Sequence, residues 1–249
     1  MKHRGLASIA IVAALVAALQ LACWAGLVKH TVIIAPSEMA ASLWQILRGG
    51  EFTHAILLTL TDIGLSAAIS IGAGFGLGVA IHSIAFLRRG IEPYLASYYA
   101  VPTFIFYPVF IVLFGVGSAP IIAITVLLAI VAMITATLNG LDRIPEVLSK
   151  TAAILRLSPL KRALLVQLPA ASPYLFAGAR LSVAYSFIGV IASEFILSGD
   201  GLGYAIAYAY NNFETPRMYA LMLLIILLVT GVNSLLNGID RRLQSQRQR

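Results

Sequence analysis

Asp62, Arg180 and Glu194 each interrupt a long apolar run. An ionisable side chain at membrane depth is costly, so such groups face a cavity, pair with one another or serve a pathway. Two carboxylates and one guanidinium could hold a solute or gate its passage. Asp62 stands one or two turns into its run and Glu194 late in its own, near the same membrane face. At least one of the two is expected to line a translocation pathway, with a polar anchor near the interface as the other reading of Asp62. Arg180 could meet an anionic solute or snorkel to the headgroups. None of these residues forms a nucleophile–base pair, so an intramembrane enzyme lacks its parts. His3, His30, His54 and His82 are scattered, with no pair at ligand spacing on one helix. The single Cys23 excludes an intrachain disulfide and a multi-thiolate site. No metal and no cofactor is expected.

The elements that must position these residues are membrane spans. Of 249 residues, 60% are hydrophobic and only 11% are charged, whereas soluble domains carry about 25% charged residues. Apolar runs of about 20 residues match a hydrocarbon core. Six are expected, at about 6–28, 55–82, 94–114, 119–139, 171–198 and 218–238. Backbone polar groups in lipid must be satisfied within the segment, and the alternation of a barrel is absent, so the spans are helices. The fold class is an all-α membrane protein, with residues 1–249 as one transmembrane domain. The start, MKHRGLASIAIVAALVAALQLACWAG, could be a leader peptide. Its uncharged run from Gly5 to Val28 is long enough to span, and a retained first helix is preferred. Gly72, Gly76 and Ala80 form a small-residue stripe in the second span, with Gly74 and Gly78 offset, which lets helices approach closely.

The formal charge of +7 is mostly a topological signal. With the N-terminus inside, thirteen cations lie on cytoplasmic pieces: Lys2, Arg4, Arg88, Arg89, Arg143, Lys150, Arg156, Lys161, Arg162, Arg241, Arg242, Arg247 and Arg249. Only Lys29, Arg48 and Arg217 lie outside. Cytoplasmic loops collect Lys and Arg, so both termini are expected in the cytoplasm. No nucleic-acid partner is implied.

The loop at about 140–170 is the longest cytoplasmic piece. Pro145 suits a helix start, and Glu146 follows in the first turn where the helix dipole favours an acid. Val147, Thr151, Ile154 and Leu155 fall on one face. Ser158-Pro159 opens a second short helix, with serine as N-cap. That helix is expected to run to Leu168 and to break at Pro169 before the fifth span. Two capped helices with an apolar stripe and a basic rim fit a docking surface for a cytosolic partner, and a helix resting on anionic lipid is the alternative.

This loop resembles the cytoplasmic signature of permease subunits of bacterial ATP-binding-cassette importers: a Glu-Ala-Ala triplet, a glycine, and an Ile-x-Leu-Pro end. Leu168-Pro169 keeps the end, and Val166 takes the Ile position. Lys150 stands at the acidic position, Thr151 and Ala152 on the two alanines, and Arg156 at the glycine. Ser158 matches a common serine of the family. Lys150, Thr151, Ala152, Ala153, Arg156, Leu157, Ser158, Leu168 and Pro169 are the contact residues the resemblance implies. APSEMAASLWQIL (35–47), VPTFIFYPVFIVLFGVG (101–117) and ASEFILSGDGLGYAI (192–206) are similar to further family segments. The last is typical of the branch that imports nitrate, sulfonates, taurine or vitamin-precursor pyrimidines.

The resemblance implies a type I importer permease bundle in the bacterial inner membrane. It implies a pair of permease chains, cytosolic ATP-binding subunits, a periplasmic solute-binding protein and a small anionic or vitamin-precursor solute. No phosphate-binding loop occurs in this chain, so the ATPase is expected on a separate subunit. A channel or assembly scaffold without an ATPase is the rival reading.

Overall fold

The computed structural model describes the backbone of residues 2–29 and 32–247 and the side chains of 10–29, 32–95 and 97–240. The side chains of Lys2, His3, Arg4, His30, Arg241, Arg242, Arg247 and Arg249, which enter the expectations above, lie outside the described residues. Eleven α-helices follow in order among the described residues. They are α1 (Lys2–Trp24), α2 (Pro36–Gly49), α3 (Thr53–Ser83), α4 (Ala85–Ser97), α5 (Tyr107–Phe114) and α6 (Ser118–Asp142). Then come α7 (Glu146–Ile154), α8 (Pro159–Arg162), α9 (Leu168–Leu197), α10 (Leu202–Asn211) and α11 (Thr215–Arg247). Short 3-10 turns at Tyr98–Ala100 and Thr103–Phe106 join α4 to α5, and a π segment at Ala163–Gln167 joins α8 to α9.

Among the described residues, four helical stretches are long and apolar enough to cross a membrane: Thr53–Ser83, Ser118–Asp142, Pro159–Leu197 and Thr215–Asp240. A fifth crossing arises if Ala85–Ala100 and Thr103–Phe114 form one span, which is bent by 94°. In α1, Ala10–Trp24 is a shorter apolar helix. The span expected at about 94–114 falls on this bent pair. It bends because Val101 precedes Pro102 and adopts an extended backbone (φ −82°, ψ 119°), as steric conflict with the proline ring requires.

The centre of the bundle is α6, which packs along both α3 and α9. Between helices in lipid there is little hydrophobic drive, and close approach of small residues takes its place. A Cβ on Gly74 would stand 2.8 Å from Met133 Cβ, and one on Gly78 would stand 2.6 Å from Thr137 Cβ. A Cβ on Gly178 of α9 would stand 2.3 Å from Ala136 Cβ. Gly72 and Gly76 have open space around them. The α3 face that meets α6 is therefore the Gly74–Gly78 pair and not the Gly72–Gly76–Ala80 stripe. Ser182 Oγ adds a hydrogen bond to the Ala129 carbonyl (3.1 Å) across the α6–α9 seam.

Three apolar clusters mark the length of the bundle. Ile81, Ile134 and Leu138 pack at the end that carries α7 and α8. Ile63, Ile121, Phe187 and Val190 pack in the middle. Leu43, Ala55, Leu202, Ala205 and Leu221 pack at the opposite end, where α2 and α10 lie. There α1 is clasped to α2 by Gln20, whose Nε2 donates to Ser37 Oγ (2.9 Å) and whose Oε1 accepts from Ser37 N–H (3.0 Å).

Candidate functional site

The corner between α6 and α9 is built by local chemistry. Pro145 (φ −56°, ψ 131°) flanks the start of α7, so Glu146 rather than Pro145 is the first helical residue. Lys150 Nζ lies 3.1 Å from Glu146 Oε1 one turn away, and Thr151 Oγ1 donates to the Val147 carbonyl (2.9 Å). The helix ends in paired bonds: Leu157 N–H to the Ala152 carbonyl (3.1 Å) and Arg156 N–H to the Ala153 carbonyl (3.0 Å). That is a Schellman motif, which places its C′ residue in the left-handed region and favours glycine there. The C′ residue is Arg156, with φ 48°. The glycine of the family signature thus has a geometric reason, and this chain keeps the geometry with a strained arginine. A left-handed non-glycine residue costs about 1–2 kcal/mol.

Ser158 starts α8 as expected, its Oγ accepting from Lys161 N–H at 3.4 Å. The expected break at Pro169 is absent, because the chain stays helical from Pro159 to Leu197. The π segment explains this: it ends immediately before Leu168-Pro169, and its wider winding relieves the clash and missing donor that a proline brings to an α-helix.

The faces of α7 divide sharply. Ala152 is 2% exposed and packs inward, toward the π segment. Val147, Ile154, Leu155 and Leu160 are 71%, 80%, 64% and 69% exposed. Lys150, Thr151, Ala153, Arg156 and Ser158 are also exposed, Leu157 and Leu168 are half-buried, and Pro169 is exposed. The corner is anchored to the bundle on both sides. A Cβ on Gly140 would stand 3.0 Å from Tyr174 Cβ, and the Arg143 guanidinium lies 5.6 Å from the Tyr174 ring.

At the opposite end, Glu194 and Asp62 are 0% and 2% exposed. Neither carboxylate reaches a surface of the single chain. Glu194 accepts from Thr59 Oγ1 (2.8 and 2.9 Å) and from Gly203 N–H (2.9 Å), and Thr59 Oγ1 accepts from Leu202 N–H (2.9 Å). These amides form the first turn of α10, where free N–H groups and the helix dipole favour an anion. The glycines around them leave room for the carboxylate. A Cβ on Gly201, whose φ is 97°, would stand 2.3 Å from Glu194 Cδ, and one on Gly203 would stand 2.4 Å from the Ile191 carbonyl. Asp62 lies beside Ser118, and its Oδ2 has no hydrogen-bond partner. Arg180 donates to Asn237 Oδ1 at 2.6 Å, joining α9 to α11.

The structure therefore gathers Glu194, Gly201 and Gly203 into one unit, and it separates that unit from the α7–α8 corner by the length of the bundle. Sequence reasoning missed Thr59. Its position three residues before Asp62 in an apolar run was the available signal.

Comparison with known proteins adds the family. The pattern described as "Binding-protein-dependent transport system inner membrane component" matches residues 72–247. The chain is 30% identical over 233 residues to an ABC transporter permease protein of Haemophilus influenzae, covering 91% of each chain. It is 28% identical to the nitrate import permease protein NrtB of Synechococcus elongatus, over 63% of this chain and 56% of that one. It is 27% identical to an aliphatic sulfonates transport permease protein, SsuC, of Bacillus subtilis, over 88% and 79% of the two chains. The inward-facing structure of the MetNI methionine ABC transporter shares the fold, with a TM-score of 0.67 at 20% identity over 77% of this chain and 95% of that one. A match over most of its length, on a bundle of this shape, means that the chain belongs to the family of binding-protein-dependent transport system inner membrane components.

Proposed function

We propose that the α7–α8 corner is the cytoplasmic seat of an ATP-binding subunit, and that its displacement drives solute import through this ABC permease. The exposed apolar patch of Val147, Ile154, Leu155 and Leu160 on a well-capped corner carries the reading. Caps and a buried Ala152 fix the shape, so the uncovered side chains need another reason. A pocket on a partner supplies one, since a few anchored apolar residues dominate such interfaces. Lys150, Thr151, Ala153, Arg156, Leu157 and Ser158 frame the patch, and Leu168-Pro169 carries its motion into α9.

In this reading ATP closes a pair of ATP-binding subunits, the corner moves as a rigid piece, and the helices rock between inward and outward openings. Two permease chains enclose the pathway, and a periplasmic binding protein delivers the solute at the α10 end. Both termini lie in the cytoplasm, supported by thirteen cations against three. A small anion is the proposed cargo class, supported by relatives that import nitrate and sulfonates. In the proposed gate, Glu194 and Asp62 act where α3, α9 and α10 meet, and a shift of α10 would uncover them to the pathway.

The test is site-specific crosslinking from Ile154 in gently solubilised membranes. Capture of an ATP-binding subunit, strengthened or weakened by ATP, is the expected result. Capture of phospholipid alone throughout turnover would overturn the docking reading and favour a channel or scaffold.

A further inference from the structure

The α3–α4 elbow is held on both of its sides by one carboxylate. Ile84 is the extended residue at the elbow (φ −114°, ψ 101°), with α3 ending at Ser83 and α4 starting at Ala85. His82 precedes it, and its Nε2 lies 3.2 Å from Asp142 Oδ1. Arg88 follows it, and both terminal guanidinium nitrogens donate to the two oxygens of Asp142. Glu92 adds a looser contact to Arg88 Nε at 3.7 Å. Asp142 is the last residue of α6 and stands four positions before Glu146, where α7 begins.

Three observations set this apart from an ordinary surface ion pair, whose net worth is small. The guanidinium–carboxylate contact is a two-pronged fork, which fixes direction as well as distance. Its partners come from three helices, and the sequence separation between Arg88 and Asp142 is 54. Beneath it, Ile81 from one arm of the elbow and Ile91 and Leu95 from the other pack on Ile134 and Leu138 of α6. A polar grip therefore sits over an apolar one, and both hold the elbow to the last turns of α6. The link from Asp142 to α7 is short, with Arg143 N–H bonded back to the Asn139 carbonyl of α6 (3.3 Å) and the Pro145 carbonyl accepting from Leu148 N–H of α7 (3.0 Å).

We propose that Asp142 is a positioning residue for transport: it locks the angle of the α3–α4 elbow to the root of α7, so that displacement of α7 resets that angle. This rests on the reading of the α7–α8 corner as the ATPase seat. The consequence is directional. α3 carries Asp62 and Thr59 at its other end, so rotation at the elbow reaches the α10 end through one rigid helix. α9 alone would otherwise have to deliver the stroke.

The experiment uses the complete importer, with its ATP-binding and binding-protein subunits, in liposomes. Solute uptake per ATP hydrolysed is read together with the distance between spin labels at Leu77 and Gly90, exposed on either side of the elbow. Residues that couple two sites modulate the coupling by roughly two- to thirtyfold. Asp142→Asn is expected to lower uptake per ATP by that amount and to abolish the ATP-driven change in label distance. Arg88→Lys, which keeps the charge and loses the fork, is expected to fall between parent and Asp142→Asn. The exchanged pair Arg88→Asp with Asp142→Arg is expected to recover part of the loss, which a merely structural role would not give. Parent-like coupling and label movement in Asp142→Asn, or in Arg88→Lys where the first variant fails to assemble, overturns the proposal. Crosslinking from Ile154 separates the two readings. Its absence in the parent complex overturns the docking reading and the coupling role with it. Its persistence beside a silent Asp142→Asn overturns the elbow lock alone.

Discussion

Glu194 and Arg156 are both exceptions to a local rule, and they are resolved in opposite ways. The buried carboxylate at the α10 end is fully partnered: Thr59, Gly203 and the space left by Gly201 close around it. The arginine at the corner is left strained, in a left-handed backbone that glycine would occupy freely, beside apolar side chains with no cover. Glu194 is satisfied within the chain in this conformation. The corner is shaped within the chain and left uncovered. The difference separates a carboxylate satisfied by its own chain from a surface left open, although both stand in family-like motifs.

Substitutions can break or sharpen that contrast. Gly203→Val has the largest expected effect, because even its Cβ meets the Ile191 carbonyl at 2.4 Å. Overpacking of this kind costs about 1–3 kcal/mol and occasionally more, and thermal unfolding in detergent should show α10 undocked and the midpoint clearly lowered. An unchanged midpoint would mean that α10 is not anchored as described. Ile154→Asp should behave in the reverse manner. Its side chain is 80% exposed, so the unfolding midpoint stays near the parent's while uptake falls at least about thirtyfold, the loss expected of an interface anchor worth about 2 kcal/mol. Uptake at the parental rate would remove the working surface from the comparison.

Thr59→Val keeps the shape and removes the hydroxyl that serves both Glu194 and the Leu202 N–H. Leaving such groups unsatisfied costs about 1–3 kcal/mol, measured as a lowered unfolding midpoint, with Thr59→Ser expected to restore most of it. Arg156→Gly should raise local stability by about 1 kcal/mol, since the strain goes while the chain gains unfolded freedom. Hydrogen exchange at the Arg156 and Leu157 amides would report it as increased protection. Arg156→Ala, which keeps a Cβ, should show no such gain. Smallest of all is Gly72→Ala, which meets open space and should raise stability by less than about 1 kcal/mol, read as a slight rise in the midpoint. Gly74→Ala, 2.8 Å from Met133 Cβ, is its destabilising counterpart.

The helical class, the long apolar helices and the serine start of the corner's second helix were legible because they depend on length, composition and local chemistry. Ser158-Pro159 announces a helix start whatever surrounds it. The choice of packing face was not legible. In α3 nearly every side is apolar or small, so period alone does not say whether Gly72–Gly76 or Gly74–Gly78 meets α6. Pro169 misled for a related reason. A proline signals a missing donor, and whether the helix breaks or widens around it depends on the winding of the residues before it. Asp62 and Glu194 stood out as membrane carboxylates, but burial and partners decide their work, and Thr59 carries no charge to mark it. Asp142 lies far from His82 and Arg88 in the chain, and only folding makes it their neighbour.

The π segment at Ala163–Gln167 also acts as a rotational index. Each residue turns an α-helix by about 100°, and a π turn absorbs one extra residue without lengthening the rod by a full step. Removing one residue from this stretch would return it to ordinary winding and leave Ser158 and α8 near their present bearing, whereas removing one from the α-helical turns of α9 would swing them by about 100°. A one-residue deletion just beyond the π segment would therefore aim the corner in the wrong direction, and one inside it would spare the aim.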